Sequence, residues 1–156
     1  MLACSSPASP DDPRDFDPPP PQAGSSQTAT AVLDLTNAER ERGGLAAFRG
    51  NTRLMEAAQI HAEQMARAGR LDHVLPGTSY PRPEDRLAFV AYRWQAYAEN
   101  VAYGQRTPAE VVNGWMQSSG HRANIMNGNL TELGVGYARD GNDRPYWVQV
   151  FGRPIS

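Results

Sequence analysis

The C-terminal part of the chain contains the stretch TELGVGYARDGNDRPYWVQVFG, residues 131–152. Two segments within it, 133–137 and 146–151, carry the aliphatic and aromatic residues that favour β strands. The polar cluster DGND between them predicts a tight turn, so we expect an antiparallel hairpin. Gly134 and Gly136 leave one face of the first strand without side chains, which predicts that a helix packs closely against it.

Helical periodicity dominates the chain ahead of this hairpin. A first helix is predicted over 31–42, and the following Gly43-Gly44 is typical of a helix end. A second helix is predicted over 51–68, ending at Gly69. Apolar residues and one histidine repeat every three or four positions along its inner face. These are Leu54, Ala57, Ala58, His61, Met65 and Ala68.

The segment 70–92 contains Pro76, Pro81 and Pro83 and predicts a long loop with a short helical piece at 84–92. Loops of this length inside a compact domain are more often functional than not.

A helix start is predicted at Thr107-Pro108-Ala109-Glu110. Thr107 can cap the helix, Pro108 suits the first helical position, and Glu110 can accept a hydrogen bond from the N–H of the cap residue. One or two further helical turns are expected at 120–127. The order of helices followed by a hairpin implies an α+β domain with helices packed on an antiparallel sheet.

The composition excludes several kinds of chemistry. All 15 basic residues are arginine, which removes Schiff-base lysines and the lysine of phosphate-binding loops. The single cysteine excludes an internal disulfide framework and a multi-thiolate zinc site. A formal net charge of −2 argues against nucleic acid as a partner. No stretch approaches the roughly 20 apolar residues that span a bilayer, so no transmembrane span is expected.

The first 30 residues hold seven of the 13 prolines and predict a disordered tail rich in Pro, Ser and Asp. The folded domain is assigned to 31–156. Leu2-Ala3-Cys4 resembles the end of a bacterial lipoprotein signal, but the basic and apolar regions that precede such a cysteine are missing. Two interpretations stay open: Cys4 is a lipidation site on a tether, or the match is chance.

The three histidines lie in different settings. His61 falls on the apolar face of the second helix and is predicted to be a hydrogen-bonded core residue. His73 follows a helix end at the start of the long loop, and His121 begins a short helix. Both positions are typical of functional groups presented by a scaffold. No HExxH spacing is present, so spacing alone gives little support for zinc.

Two acidic residues are candidates for chemistry. Glu99 lies among alanines and valines, which predicts a partly buried carboxylate that needs a partner. That partner is a histidine, a metal or an arginine of a structural ion pair. Glu132 precedes the first hairpin strand. No G-x-S-x-G motif is present, so a serine mechanism has no support.

Six segments in order resemble the CAP superfamily, which comprises cysteine-rich secretory proteins, antigen 5 and plant pathogenesis-related proteins, in its short bacterial extracellular form. The segments are LMEAAQIHAEQMA at 54–66, Asp72-His73, AENVAYG at 98–104, VVNGWMQSSGHRANIM at 111–126, TELGVGY at 131–137 and YWVQVFG at 146–152. The resemblance covers essentially all of 31–156.

The resemblance implies a three-layer α-β-α sandwich with a central antiparallel sheet. It also implies a cleft with two histidines, which match His73 and His121, and a glutamate, which matches Glu99. A second family glutamate is absent, because Ser118 occupies its place. Asn124 is one turn beyond His121 and either orients this cleft or caps a turn.

Three functional hypotheses follow from the resemblance. The first is an extracellular, envelope-associated binding or interaction module for a protein, cell-wall or lipid ligand, with Zn²⁺ or another divalent cation at His73 and His121. The second is a metal-dependent hydrolase of peptide or cell-wall material with Glu99 as general base. The third is a lipid carrier with a groove near 89–97. We favour the first, because two histidines open to solvent are a weak basis for catalysis.

Four aromatic residues cluster in the sequence ahead of Glu99, and they either line a groove or cover the core. Core packing is the prediction for all four: Phe89, Tyr92, Trp94 and Tyr97.

Overall fold

The computed structural model describes the backbone of residues 23–156 and the side chains from residue 26 onward. Five helices and four strands follow one another in this part of the chain. They are α1 (Ala23–Arg42), β1 (Arg49–Gly50), α2 (Thr52–Ala68), α3 (Pro83–Phe89), β2 (Trp94–Tyr103), α4 (Pro108–Met116), α5 (Ser119–Ile125), β3 (Glu132–Arg139) and β4 (Pro145–Pro154).

One sheet with the strand order β1-β3-β4-β2 forms the middle layer. β4 pairs antiparallel with both β3 and β2, which confirms the predicted hairpin. α2 and α3 pack on one face of the sheet, and α1, α4 and α5 pack on the other. The α+β sandwich is therefore confirmed. The two-residue β1 differs from the expected antiparallel sheet, because it pairs parallel with β3.

The first helix begins earlier than the sequence predicts. α1 starts at Ala23, eight residues before the predicted start, and Ala29 is buried in the core. The proline-rich composition ends at Pro21, so nothing in the backbone prevents a helix from there on. The predicted boundary between 30 and 31 thus falls inside α1. The predicted tail up to residue 22 and the lipidation site Cys4 lie outside the described residues.

The predicted second helix is confirmed together with both of its ends. The side chain of Asn51 accepts a hydrogen bond from the Leu54 N–H at 3.0 Å, and Gly69 ends α2 in the left-handed conformation with φ 60°. The predicted inner face is buried from Leu54 to Met65, whereas Ala68, the last residue predicted on it, is exposed at the end of the helix.

The bare face of β3 lies against α2, as predicted. A Cβ atom on Gly134 would collide with the backbone of Leu54 and Met55, and one on Gly136 would collide with Ala58. The two glycines therefore set how closely α2 approaches the sheet.

The start of α4 is confirmed with one difference. The Thr107 hydroxyl accepts a hydrogen bond from the Glu110 N–H at 3.2 Å. The Glu110 carboxylate accepts a hydrogen bond from the N–H of Arg106, at 2.9 Å, and not from that of Thr107. The carboxylate therefore reaches one residue further back than the predicted capping box.

The aromatic prediction is wrong for two of its four residues. Tyr92 is buried, but Phe89 is 42% exposed and Trp94 is 36% exposed. Phe89 ends α3 and Trp94 begins the edge strand β2, where little of the core reaches them. Each packs on another aromatic ring near the surface, Phe89 on Tyr80 and Trp94 on Tyr97.

Within residues 23–156, no helix has the length and apolar character needed to cross a membrane.

Candidate functional site

Glu99 and His73 form the centre of the candidate site. Glu99 is in the middle of β2 and is buried, whereas His73 is half-exposed in the loop that follows α2. The Nδ1 atom of His73 lies 2.9 Å from Oε1 of Glu99. This hydrogen bond raises the pKa of His73 more than partial burial lowers it. It favours the ring form with the proton on Nδ1, which leaves Nε2 free for a ligand.

The second oxygen of Glu99 is also engaged. Arg86, in α3, donates from Nη2 to Oε2 of Glu99 at 3.1 Å, and both side chains are almost wholly buried. Of the partners considered for Glu99, the structure therefore supplies a histidine and an arginine together. Neither carboxylate oxygen is left without a partner.

A third imidazole lies behind this pair. His61 is fully buried on α2, which confirms its predicted place in the core, and its Nε2 is 3.5 Å from Oε1 of Glu99. That separation is too long for a good hydrogen bond. Among the described residues, neither ring nitrogen of His61 has a partner within hydrogen-bond geometry, so the hydrogen bonds predicted for this residue are not found. Burial lowers its pKa to about 4, although the charge of Glu99 opposes this shift.

A chain of buried amides holds the other side of the site. Asn100 donates to the backbone carbonyl of His121 and to the side chain of Gln149, each at 3.1 Å. Asn124 donates to the Asn100 side chain at 2.8 Å, and Gln149 donates to Thr36 of α1 at 2.9 Å. The Asn124 amide thus ties α5 to β2, which fits the first of its two predicted roles, that of orienting the cleft.

His121 is partly buried near the start of α5. Burial lowers its pKa first, and the nearby charge of His73 lowers it further. Ser118 precedes α5 and accepts the Arg122 N–H through its backbone oxygen, at 2.8 Å. Its short side chain supplies no carboxylate to the cleft.

Trp115 and Asn124 both bond to the backbone of β2. The indole Nε1 of Trp115 donates to the backbone oxygen of Val101 at 3.3 Å, and the Asn124 amide reaches the backbone oxygen of Glu99 at 3.5 Å. Both acceptors belong to β2, the strand at the sheet edge.

The donors present do not form a complete metal centre. No group of three or more His, Cys, Asp or Glu side chains within the described part of the chain is arranged to hold a metal ion. Glu132 is distant from the cleft and accepts hydrogen bonds from Asn51 and Tyr92, at 2.7 and 3.2 Å. A cation at His73 and His121 therefore stays a prediction.

Comparison with known proteins identifies the family. A model of the family described as "CAP: Cysteine-rich secretory protein family" matches residues 33–151. The chain belongs to the CAP family. The resemblance found in the six sequence segments is thus confirmed.

Two curated CAP relatives come from Bacillus subtilis (strain 168). "Uncharacterized protein YkwD" is 39% identical over 120 residues, which cover 77% of this chain and 45% of the relative. "Uncharacterized membrane protein YlbC" is 36% identical over 120 residues, which cover 77% of this chain and 33% of the relative. The chain thus spans less than half the length of each.

Solved structures agree with the fold. An extracellular protein containing an SCP domain from Bacillus anthracis str. Ames superimposes with a TM-score of 0.74 at 26% identity, over 96% of this chain and 45% of that one. An outer surface protein from Borrelia burgdorferi gives a TM-score of 0.73 at 20% identity, over 81% of this chain and 92% of that one. The second similarity shows the fold alone.

Two residues of the candidate site in this CAP domain were not predicted from the sequence. Arg86 looks like an ordinary charged residue of a short helix, and no pattern marks its burial. The position of His61 beside Glu99 was not predicted either, although its place on the apolar face of α2 was the available signal.

Proposed function

We propose that this CAP domain is an extracellular, envelope-associated binding module whose ligand occupies the cleft between His73 and His121. Relatives with this fold include an extracellular protein of Bacillus anthracis and an outer surface protein of Borrelia burgdorferi, which supports the location. The ligand belongs to the envelope and is cell-wall material, lipid or a protein.

The occupancy of Glu99 favours binding over hydrolysis. A general base has to accept a proton from water or substrate through a carboxylate oxygen within hydrogen-bond reach. In Glu99, one oxygen is bonded to His73 and the other to Arg86, at 2.9 and 3.1 Å. A carboxylate can accept about four hydrogen bonds, but the Glu99 side chain is almost wholly buried beside these two partners, so water has little access to it. Ser118 provides no second acid.

In this proposal a divalent cation has one role: it is bound by the imidazoles of His73 and His121. The Glu99–His73 bond is the arrangement by which a carboxylate orients a metal-binding histidine. Catalytic zinc sites use three protein ligands and structural sites use four, so two imidazoles do not fit a hydrolase centre.

Binding to isolated envelope fractions tests the proposal. Peptidoglycan sacculi and vesicles of bacterial phospholipid would be sedimented with wild-type protein, with a His73→Ala/His121→Ala double variant and with Arg139→Met as a surface control. We expect one fraction to retain wild type and Arg139→Met but not the double variant. Release of soluble fragments that is abolished by Glu99→Gln would instead establish the hydrolase. Equal retention of all three proteins would show that the ligand does not bind at His73 and His121.

Zinc titration tests the cation. Calorimetry with Zn²⁺ alone should show binding to wild type that is lost in His73→Ala and in His121→Ala and is kept in Arg139→Met. Equal affinities in all four proteins would exclude the two imidazoles as ligands.

Lipidation at Cys4 is a further part of the proposed envelope association. Mass spectrometry of the membrane-associated protein should find a lipid on Cys4, and a Cys4→Ser variant should leave the membrane fraction. A variant that stays in that fraction would contradict the anchor.

A further inference from the structure

Arg86 makes more contacts to the cleft than an ion pair requires. It is 1% exposed, and its guanidinium donates four hydrogen bonds, of which only one goes to Glu99. Nη1 reaches the backbone oxygens of Tyr80 and Pro81 at 3.1 and 3.4 Å. Nη2 reaches the backbone oxygen of His73 at 3.0 Å and Oε2 of Glu99 at 3.1 Å.

These bonds hold His73 at two points, its backbone and its ring. Arg86 holds the main chain of His73 directly, and it holds the His73 ring indirectly through Glu99. The loop between α2 and α3 could not shift without breaking bonds at both points. The same guanidinium joins the first part of that loop, at His73, to its last part, at Tyr80 and Pro81.

We propose that Arg86 is the positioning residue of the cleft, which fixes the loop carrying His73 and the Glu99 carboxylate in one relative arrangement so that Nε2 of His73 faces the ligand. This inference rests on the proposed binding function for its consequence, but the arrangement itself is independent of any ligand.

Arginine is suited to this role in a way that lysine is not. The planar guanidinium has five N–H donors in a fixed fork, so it can serve acceptors on both sides at once. A lysine has three donors at one point and the same charge. Arg86→Lys therefore separates the charge of Arg86 from its geometry, and Arg86→Met removes both.

The variants would be compared with wild type and with Arg139→Met, which removes an exposed arginine paired with Asp143 on the distant hairpin. Folding is checked by circular dichroism. Nitrogen-15 spectra of the His73 ring at mildly alkaline pH report which nitrogen carries the proton, and amide hydrogen exchange reports the order of residues 73–81. Calorimetry with Zn²⁺ alone measures the affinity of each protein for the cation.

We expect Arg86→Lys to fold, to lose the single Nδ1–H ring form of His73, to exchange faster over 73–81 and to bind Zn²⁺ about 10-fold or more weakly, as loss of a partner behind a metal ligand does. Arg139→Met should match wild type. If Arg86→Met does not fold, the lysine variant alone decides the question.

A lower melting temperature with the His73 ring form and loop exchange unchanged in Arg86→Lys would overturn the proposal and leave Arg86 a purely stabilising residue. Absence of Zn²⁺ binding by wild type would count against the cation in the proposed function. The ring form and the exchange rates would still decide the role of Arg86.

Discussion

Glu99 and Asn100 are adjacent in β2 and hold the two cleft histidines from opposite faces of the sheet. Side chains alternate along a strand, so Glu99 points toward α2 and α3, where it binds the ring of His73 at 2.9 Å. Asn100 points toward α1, α4 and α5, where it binds the backbone of His121 at 3.1 Å. Two consecutive residues thus anchor both sides of the cleft.

Replacing Asn100 should loosen the His121 side and destabilise the fold. Asn100→Ala removes three side-chain hydrogen bonds, so the buried Oε1 of Gln149 loses its donor and the Asn124 amide loses its shorter bond. We expect a loss of about 2–3 kcal/mol in the free energy of unfolding, measured by urea denaturation. Asn113→Ala, at an exposed position of α4, is the control and should be neutral or slightly stabilising. Equal effects of the two substitutions would show that the amide chain contributes nothing.

Two glycine-to-alanine substitutions should have opposite effects. At Gly134 an added Cβ meets the backbone of α2, which cannot move away as a flexible side chain could, so a loss of about 3 kcal/mol or more is expected. At Gly114, inside α4, a Cβ meets nothing within 4 Å, so the variant should gain about 0.5–1 kcal/mol. Thermal denaturation of both variants checks the pair. A stable Gly134→Ala protein would mean that α2 is not held against the sheet as described.

Arg40 should be essential for stability although it has no carboxylate partner among the described residues. It is 2% exposed and donates to the backbone oxygens of Ala46, Ile125 and Asn127 at 2.7 to 3.0 Å, with its guanidinium over the ring of Phe48. Arg40→Met should cost about 3 kcal/mol or more, because several buried carbonyls lose their donor. Chemical denaturation measures this loss in the free energy of unfolding. The control Arg42→Met, on the exposed side of α1, should leave the free energy of unfolding almost unchanged. A small loss at Arg40 would indicate that water replaces the guanidinium.

His61 should make the protein sensitive to acid. Its pKa is about 4 when folded and 6.5 when unfolded, so the unfolded chain binds a proton that the folded chain does not between these values. Stability contributed by the neutral ring is present above pH 6.5 and is lost as pH falls toward 4, by about 3 kcal/mol in total. His61→Gln should therefore flatten the acid side of the stability curve relative to wild type.

His73 provides a control of opposite sign for that experiment. Its folded pKa is raised by the bond to Glu99, so its contribution is complete below the unfolded value and is lost as pH rises through the folded one. His73→Gln should remove a fall in stability above pH 6.5, whereas His61→Gln should flatten the rise in stability below it. Urea denaturation at intervals from pH 4 to pH 8 measures both, and parallel curves for His61→Gln and wild type would exclude a buried neutral His61.

The elements that sequence could predict are those with a local signal. The Asn51 and Gly69 ends of α2, the Thr107 cap of α4 and the turn between β3 and β4 depend on residues within a few positions of one another. β2 was missed because its buried positions include Glu99 and Asn100 beside small alanines, so it shows no alternation of apolar and polar residues. Its pairing with β4 across some 50 positions decides its conformation, and no local pattern records that pairing.

The candidate site, like the fold, was only partly predictable from the sequence. The family resemblance supplied His73, Glu99 and His121. Arg86 joins them through its bonds to the loop after α2, and His61 through the packing of α2 on the sheet. The charge on Arg86 suggests an exposed side chain, and only the four surrounding acceptors explain why it is buried.

The position of β2 at the sheet edge has a consequence for solubility. An uncovered edge strand can pair with the strand of another molecule and start aggregation. In this protein Trp115 and Asn124 lie over that edge at the backbone oxygens of Val101 and Glu99. Side chains next to the candidate site therefore also cover part of this sheet edge, and substitution of Trp115 or Asn124 would uncover a backbone oxygen there.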